Sequence, residues 1–235
     1  MKTEDATAYI QTVDPVTVAR YARYFRHILP RSPEDTFRRW LFTYASVHTT
    51  WRLNCRMYQA LEDLEWLGDK DELHRKITAV GAGFQNKRAN YIHQFSEFFF
   101  RHSDWFTKSA YETWRAYRAR VQKAALGIGQ AKAAFLVELT YPLDAEVVCT
   151  DTHILQLYGY TPKQINERGI SMKKMVAVED HWVSQCADAG IPPVIGRWNF
   201  WDRKQGQSDS RYWSFVLERE NYNDRLAQVA RAQGA

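Results

Sequence analysis

The chain has 235 residues, a formal net charge of +5, 45% hydrophobic and 25% charged residues, and a calculated pI near 9.0. Such a composition suits a folded protein with one substantial core, and no run approaches the roughly 18 apolar residues of a membrane helix. Cys55, Cys149 and Cys186 are too few and too scattered for a zinc pattern, a disulfide framework or a four-cysteine iron–sulfur cluster, which points to a reducing compartment. The polar N-terminus, acidic at Glu4 and Asp5, does not read as a signal peptide, so a cytoplasmic or nuclear protein is expected rather than a secreted one. The basic balance is compatible with a polyanionic partner. Aromatics at 14% exceed ordinary core needs and include faces able to stack on unpaired bases.

Helical signals dominate in chain order. Residues 15–29 place Val18, Tyr21, Phe25 and Ile28 on one face with arginines opposite, and Pro30 stops the run. Ser32-Pro33-Glu34-Asp35 reads as a cap, a first-turn proline and first-turn acids of a helix through Phe37, Trp40 and Tyr44. A third helix carries Leu53, Met57, Leu61 and Leu64 and ends near Gly68; a short one spans 69–80. Gly81-Ala82-Gly83 breaks it before a helix over 86–100. A basic helix over 109–125 carries Arg115, Arg118, Arg120 and Lys123, and a further helix reaches about Leu139. A loop with a short extended run, Val147-Val148-Cys149, leads to a helix opened by Asp151 and closed at Gly159. Residues 173–189 are expected helical, 190–196 a loop and 209–232 a last helix. With no βαβ alternation, the fold class is all-α.

Two features carry chemistry. Gly127-Ile128-Gly129-Gln130 sits between two helical runs, where glycine permits positive φ and close backbone approach. Amides opening the second helix can then hold a phosphate oxygen. Twenty-odd residues later, Thr150-Asp151-Thr152-His153 places a carboxylate at a helix N-cap, where backbone amides and the helix dipole favour negative charge.

The order of these elements resembles the helix-hairpin-helix DNA glycosylase superfamily, the group containing endonuclease III and the adenine and 8-oxoguanine glycosylases, and we read the chain as endonuclease III-like. Ala45-Ser46-Val47-His48-Thr49-Thr50 is similar to the family's Ser-Ala-Gln-Ala-Thr turn. Gly81, Phe84, Lys87, Ala89 and Ile92 resemble its glycine and lysine-alanine helix start. Leu126 to Ala133 resembles the Leu-Pro-Gly-Val-Gly hairpin, and Thr150-Asp151-Thr152-His153-Ile154 the Val-Asp-Thr-His stretch. Coverage is about 33–158.

The resemblance implies a two-lobed helical fold: a central lobe over 30–149 with the hairpin, and a second lobe combining 1–29 with 150–235 within a single unit. It implies that Asp151 is the catalytic carboxylate, stabilising positive charge on the sugar as a base departs; an ordinary N-cap is the structural alternative. The family's Schiff-base lysine position is Ala131, with Lys132 one residue on and turned by about 100° on an ideal helix. Lys132 therefore contacts phosphate or solvent unless it reaches the sugar, and the implied enzyme is monofunctional. Gly127, Ile128, Gly129 and Gln130 are the expected DNA anchor. Lys87 and Arg88, at a helix start, contact phosphate or form a solvated basic face. His48 matches the family residue that fills the gap left by a flipped base. Trp51 either stacks on a base or packs in the core; His153 either lines the pocket or packs. Arg197-Trp198-Asn199-Phe200-Trp201 and Arg211-Tyr212-Trp213 interleave arginine with aromatics, to cup a base or to pack.

The expected function is hydrolysis of the N-glycosidic bond of a damaged or modified base in double-stranded DNA, without cofactor or metal and without a membrane partner. Two alternatives stay open. One is a phage-type transferase joining an amine or amino acid to an activated thymine on the same scaffold. The other is a non-catalytic hairpin DNA-binding protein.

Overall fold

The computed structural model describes residues 1–206, whose regular structure is helical throughout. Met1–Gly196 forms one compact unit, and the chain from Arg197 belongs to another. The first helix, α1 (Glu4–Gln11), was not anticipated from its polar sequence. Ala6 and Ile10, four residues apart, are its buried residues, too few to give a periodic signal.

Local chemistry sets the next boundaries. Asp14 caps α2 (Pro15–His27) by accepting from Thr17 N at 2.8 Å. Ser32 Oγ caps α3 (Pro33–Ala45) by accepting from Asp35 N at 3.1 Å. Helix α4 (Trp51–Leu61) begins after Thr50 and stops short of the expected Leu64. The Trp66 indole N–H donates to Leu61 O at 2.8 Å, satisfying a terminal carbonyl, and Leu64 turns left-handed at φ +62°. Asp69 caps α5 (Lys70–Val80), and Gly81 ends it at φ +72°.

Helix α6 (Gln85–Arg101) packs on α3 and α5. Phe95 and Phe99 of α6 meet Phe37 and Trp40 of α3 and Phe106 of the short turn Ser103–Phe106. Trp40 and Phe95 ring centres lie 4.5 Å apart, Phe99 and Phe106 4.7 Å. Much of the aromatic excess is therefore core, and Trp40, Trp66 and Trp182 are fully buried.

Helix α7 (Trp114–Ala124) starts later than 109 because Thr113 Oγ1 caps it at Ala116 N, 3.1 Å. Its arginines are paired with carboxylates, Arg118 in the interior. Arg115 and Arg118 pair with Glu179, Arg115 also with Asp180, and Arg120 with Glu112 at 2.8 Å. Helix α8 (Gln130–Thr140) packs on α3 and α7. Helix α9 (Thr152–Leu157) and α10 (Met172–Asp188) follow, and α1 packs on α10, where Thr7 Oγ1 donates to Gln185 Oε1 at 2.9 Å.

The expected loop at 190–196 is confined to 190–192, and its last four residues open α11 (Pro193–Lys204). Pro193 occupies the first helical position, where its missing N–H is no loss, and Gly196 lies where a Cβ would meet Cys186 Sγ at 3.2 Å. Within α11, Arg197, Trp198 and Asn199 are buried, which favours packing over base contact for that arginine–aromatic run. The expected helix at 209–232, with Arg211, Tyr212 and Trp213, lies outside the described residues. Among the described residues no helix is long and apolar enough to cross a membrane.

Candidate functional site

The hairpin linking α7 to α8 is a tight turn in which Ile128 N donates to Ala125 O at 3.1 Å. Ile128 is buried and anchors the turn, while Gly127 and Gly129 face solvent on either side of it. The two glycines differ. Gly127 has φ +81°, and a Cβ there would fall 2.5 Å from Tyr91 Cδ2. Gly129 has φ −81° and serves as the N-cap of α8 without a side-chain hydrogen bond. A Cβ on Gly129 would meet nothing within 4 Å. First-turn amides lack intrahelical acceptors, so this end of α8 offers N–H groups to a ligand with no side chain in the way.

Gly127 also borders a cavity of about 240 Å³ whose wall includes Tyr44, His48, Phe84, Lys87, Arg88 and Tyr91. The structure thus gathers His48, Lys87 and Arg88 beside the hairpin. His48 and Phe84 both hold positive φ, 49° and 53°, and their ring centres are 6.2 Å apart. Left-handed backbone at two non-glycine residues is uncommon and stores on the order of 1–3 kcal/mol of strain each. Phe84 is 62% exposed, a large aromatic held out into solvent. Its sequence signal was its place directly after Gly81-Ala82-Gly83, a helix break that also entered the family resemblance, although no role at the site was expected of Phe84.

Lys87 and Arg88 part company. Lys87 is exposed, whereas Arg88 is buried and donates to Gly83 O at 3.0 Å, Tyr44 O at 3.1 Å and Val47 O. Arg88 thus ties the His48 turn to the Phe84 turn. The phosphate contact expected of Arg88 gives way to this structural role, because its donors are turned to backbone carbonyls. Burial lowers its guanidinium pKa. Burial also raises the Tyr44 hydroxyl well above the usual phenol range, and that hydroxyl has no hydrogen-bond partner among the described residues.

Asp151 caps α9, its Oδ1 accepting from Ile154 N at 2.9 Å. Lys132 holds its Nζ 5.3 Å from the centre of the Phe135 ring. Phe135 in turn packs on Phe42 at 6.2 Å, and Phe42 receives the edge of Trp51 at 5.9 Å. Trp51 is thereby tied to the aromatic packing, half-buried rather than presented for stacking. His153 is half-buried, and its Nδ1 has no hydrogen-bond partner among the described residues. Among these residues no three histidine, cysteine, aspartate or glutamate side chains gather to hold a metal ion.

Solved structures resemble this fold over most of the chain. An 8-oxoguanine DNA glycosylase of Methanocaldococcus jannaschii superposes with a TM-score of 0.67 at 19% identity, covering 87% of this chain and 94% of that one. The chain has the helical fold of helix-hairpin-helix DNA glycosylases. The 8-oxoguanine DNA glycosylase of Thermotoga maritima gives 0.65 at 19% identity, over 88% and 98% of the two chains. The M. jannaschii 8-oxoguanine glycosylase/lyase in complex with a 15mer DNA containing 8-oxoguanine gives 0.64 at 18%, over 87% and 99%. None of these three is an endonuclease III, so the finer likeness read from the motifs gains no support from them. No protein-family model matches the chain, and no curated protein does.

Proposed function

We propose that the chain is a monofunctional DNA glycosylase that hydrolyses the N-glycosidic bond of a damaged base, with an oxidised purine as the first candidate. The observation that carries this is Asp151 capping α9 in a chain whose glycosylase fold also presents the uncapped α8 end at Gly129. In this reading the hairpin amides and Lys87 hold phosphates of one strand. Their contribution is independent of sequence and falls steeply with salt. His48 and Phe84, both exposed and both on left-handed backbone, enter the space vacated when a nucleotide swings out.

Chemistry then needs little more than a placed anion and water. As the C1′–N bond breaks, the electron pair leaves with the base and positive charge develops on the deoxyribose. The Asp151 carboxylate stabilises that charge, water adds at C1′, and the proton it loses balances the one the base acquires. Ala131 has no amine to offer the sugar, so the strand stays intact after the base departs. The three similar structures are 8-oxoguanine enzymes, which supports an oxidised purine as the leaving base.

The test is product analysis on duplexes bearing 8-oxoguanine and a panel of other modified bases. Free base together with an alkali-labile abasic site is the expected result. A gain in nucleoside mass instead would replace hydrolysis with transfer on the same scaffold. Tight binding with neither product would reduce the chain to a DNA-binding module.

A further inference from the structure

Two carboxylates buried in the protein hold the backbone that leads into Asp151. Glu138, fully buried on α8, accepts from Cys149 N through Oε1 at 2.7 Å. Glu179, fully buried on α10, accepts from Val148 N through Oε2 at 3.3 Å while that carboxylate pairs with Arg115 and Arg118. The run Val147-Val148-Cys149 is therefore gripped from two different helices at successive amides. The grip continues directly to Asp151, whose own N–H donates to Cys149 O at 2.8 Å. Glu138 is thus two hydrogen bonds in series from the Asp151 backbone. It also lies two turns along the helix whose first residue, Gln130, follows the hairpin.

A fully buried carboxylate is an expensive choice for a position that a leucine would fill, unless its acceptor is needed in place. Here the acceptor is spent on a backbone amide within two residues of the proposed catalytic carboxylate. We propose that Glu138 is a positioning residue that fixes Asp151 relative to the hairpin helix, so that gripping the phosphate and aiming the carboxylate are set by one rigid element. The proposal rests on the reading of Asp151 as the group that faces positive charge on the sugar. A displacement of about 1 Å at such a group is enough to cost a hundredfold in stabilising that charge.

The experiment uses two abasic-analogue duplexes, which need no knowledge of the target base. One carries a pyrrolidine in place of the sugar, cationic like the developing charge; the other carries a neutral tetrahydrofuran. Wild-type protein should prefer the cationic duplex, and Asp151→Asn should abolish that preference; no preference in wild type would sink the Asp151 reading itself. Given the preference, Glu138→Leu should reduce it about tenfold or more, with affinity for the tetrahydrofuran duplex nearly unchanged. Glu138→Gln, which keeps an acceptor oxygen, should restore it. A full preference in folded Glu138→Leu would overturn the proposal. So would equal weakening toward both duplexes, which marks a lost grip, or failure of Gln to rescue, which marks a need for charge. Should Glu138→Leu not fold, Glu138→Asp withdraws the acceptor by one methylene and is judged by the same outcomes.

Discussion

Gly127 presses its backbone against the ring of Tyr91: a Cβ at Gly127 would sit 2.5 Å from Cδ2 and 2.8 Å from Cε2 of that ring. Gly129, two residues on, has open space and an ordinary φ. The two hairpin glycines consequently serve different ends, one to close a turn against α6 and the other to leave a helix end bare.

Substitution should separate them. Gly127→Ala requires a left-handed alanine and a displaced ring, so it should lower stability by about 1–2 kcal/mol or more. Gly129→Val should cost less stability, on the order of 0.5–1 kcal/mol for a valine at an N-cap, and weaken binding to any duplex, because its side chain would stand where a phosphate must approach. Thermal melting and DNA affinity at fixed salt measure both. Unaltered affinity in folded Gly129→Val would show that the hairpin is not the anchor.

Asp151→Asn should preserve the fold, since asparagine caps helices as well as aspartate does. Base release should fall on the order of a hundredfold to a thousandfold in single-turnover assays, with DNA affinity within a few-fold of wild type. A wild-type rate would reduce Asp151 to a plain helix cap.

Borohydride should trap no covalent protein–DNA adduct. Ala131 holds the position from which a lysine would attack, and Lys132 Nζ lies over the Phe135 ring. Efficient trapping that vanishes in Lys132→Ala would mean that this lysine leaves the ring to reach the sugar.

Arg88→Ala should be more damaging to stability than Lys87→Ala, on the order of 2 kcal/mol, because it strips donors from three backbone carbonyls in two turns. Lys87→Ala should instead reduce DNA affinity and flatten its salt dependence with little change in melting temperature. The reverse pattern would return Arg88 to the DNA surface.

The His181 ring supplies a pH response. It meets the Tyr158 hydroxyl at 2.9 Å through Nδ1, and burial lowers its pKa below the ordinary histidine value, against the opposing pull of Glu4. The unfolded chain then binds the proton more readily than the folded one, so stability rises with pH across this window. Melting temperature should decline as pH falls below about 6.5, the unfolded value. The decline should be shallower in His181→Gln; equal slopes would remove His181 as its source.

The sequence by itself determined the all-helical class and most of the helices, α1 excepted. Caps at Ser32 and Asp151, the glycine pair of the hairpin, and the apolar faces of α3 and α6 are local signals, because a helix terminus is decided by the residues within one turn of it. Tertiary structure decided what distant residues do to one another. Lys87 and Arg88 are neighbours in sequence and similar in charge, yet only their position around α6 sends one to solvent and the other to carbonyls of two turns. Arg115 and Arg118 of α7 read as part of a basic helix until Glu179, more than sixty residues away, arrives to pair with them. Glu138 carried no signal in a run otherwise apolar, since its meaning lies in the Cys149 amide that folding brings to it. Hydrogen bonds and burial between segments depend on how helices pack, and periodicity along the chain records only which face each helix turns inward.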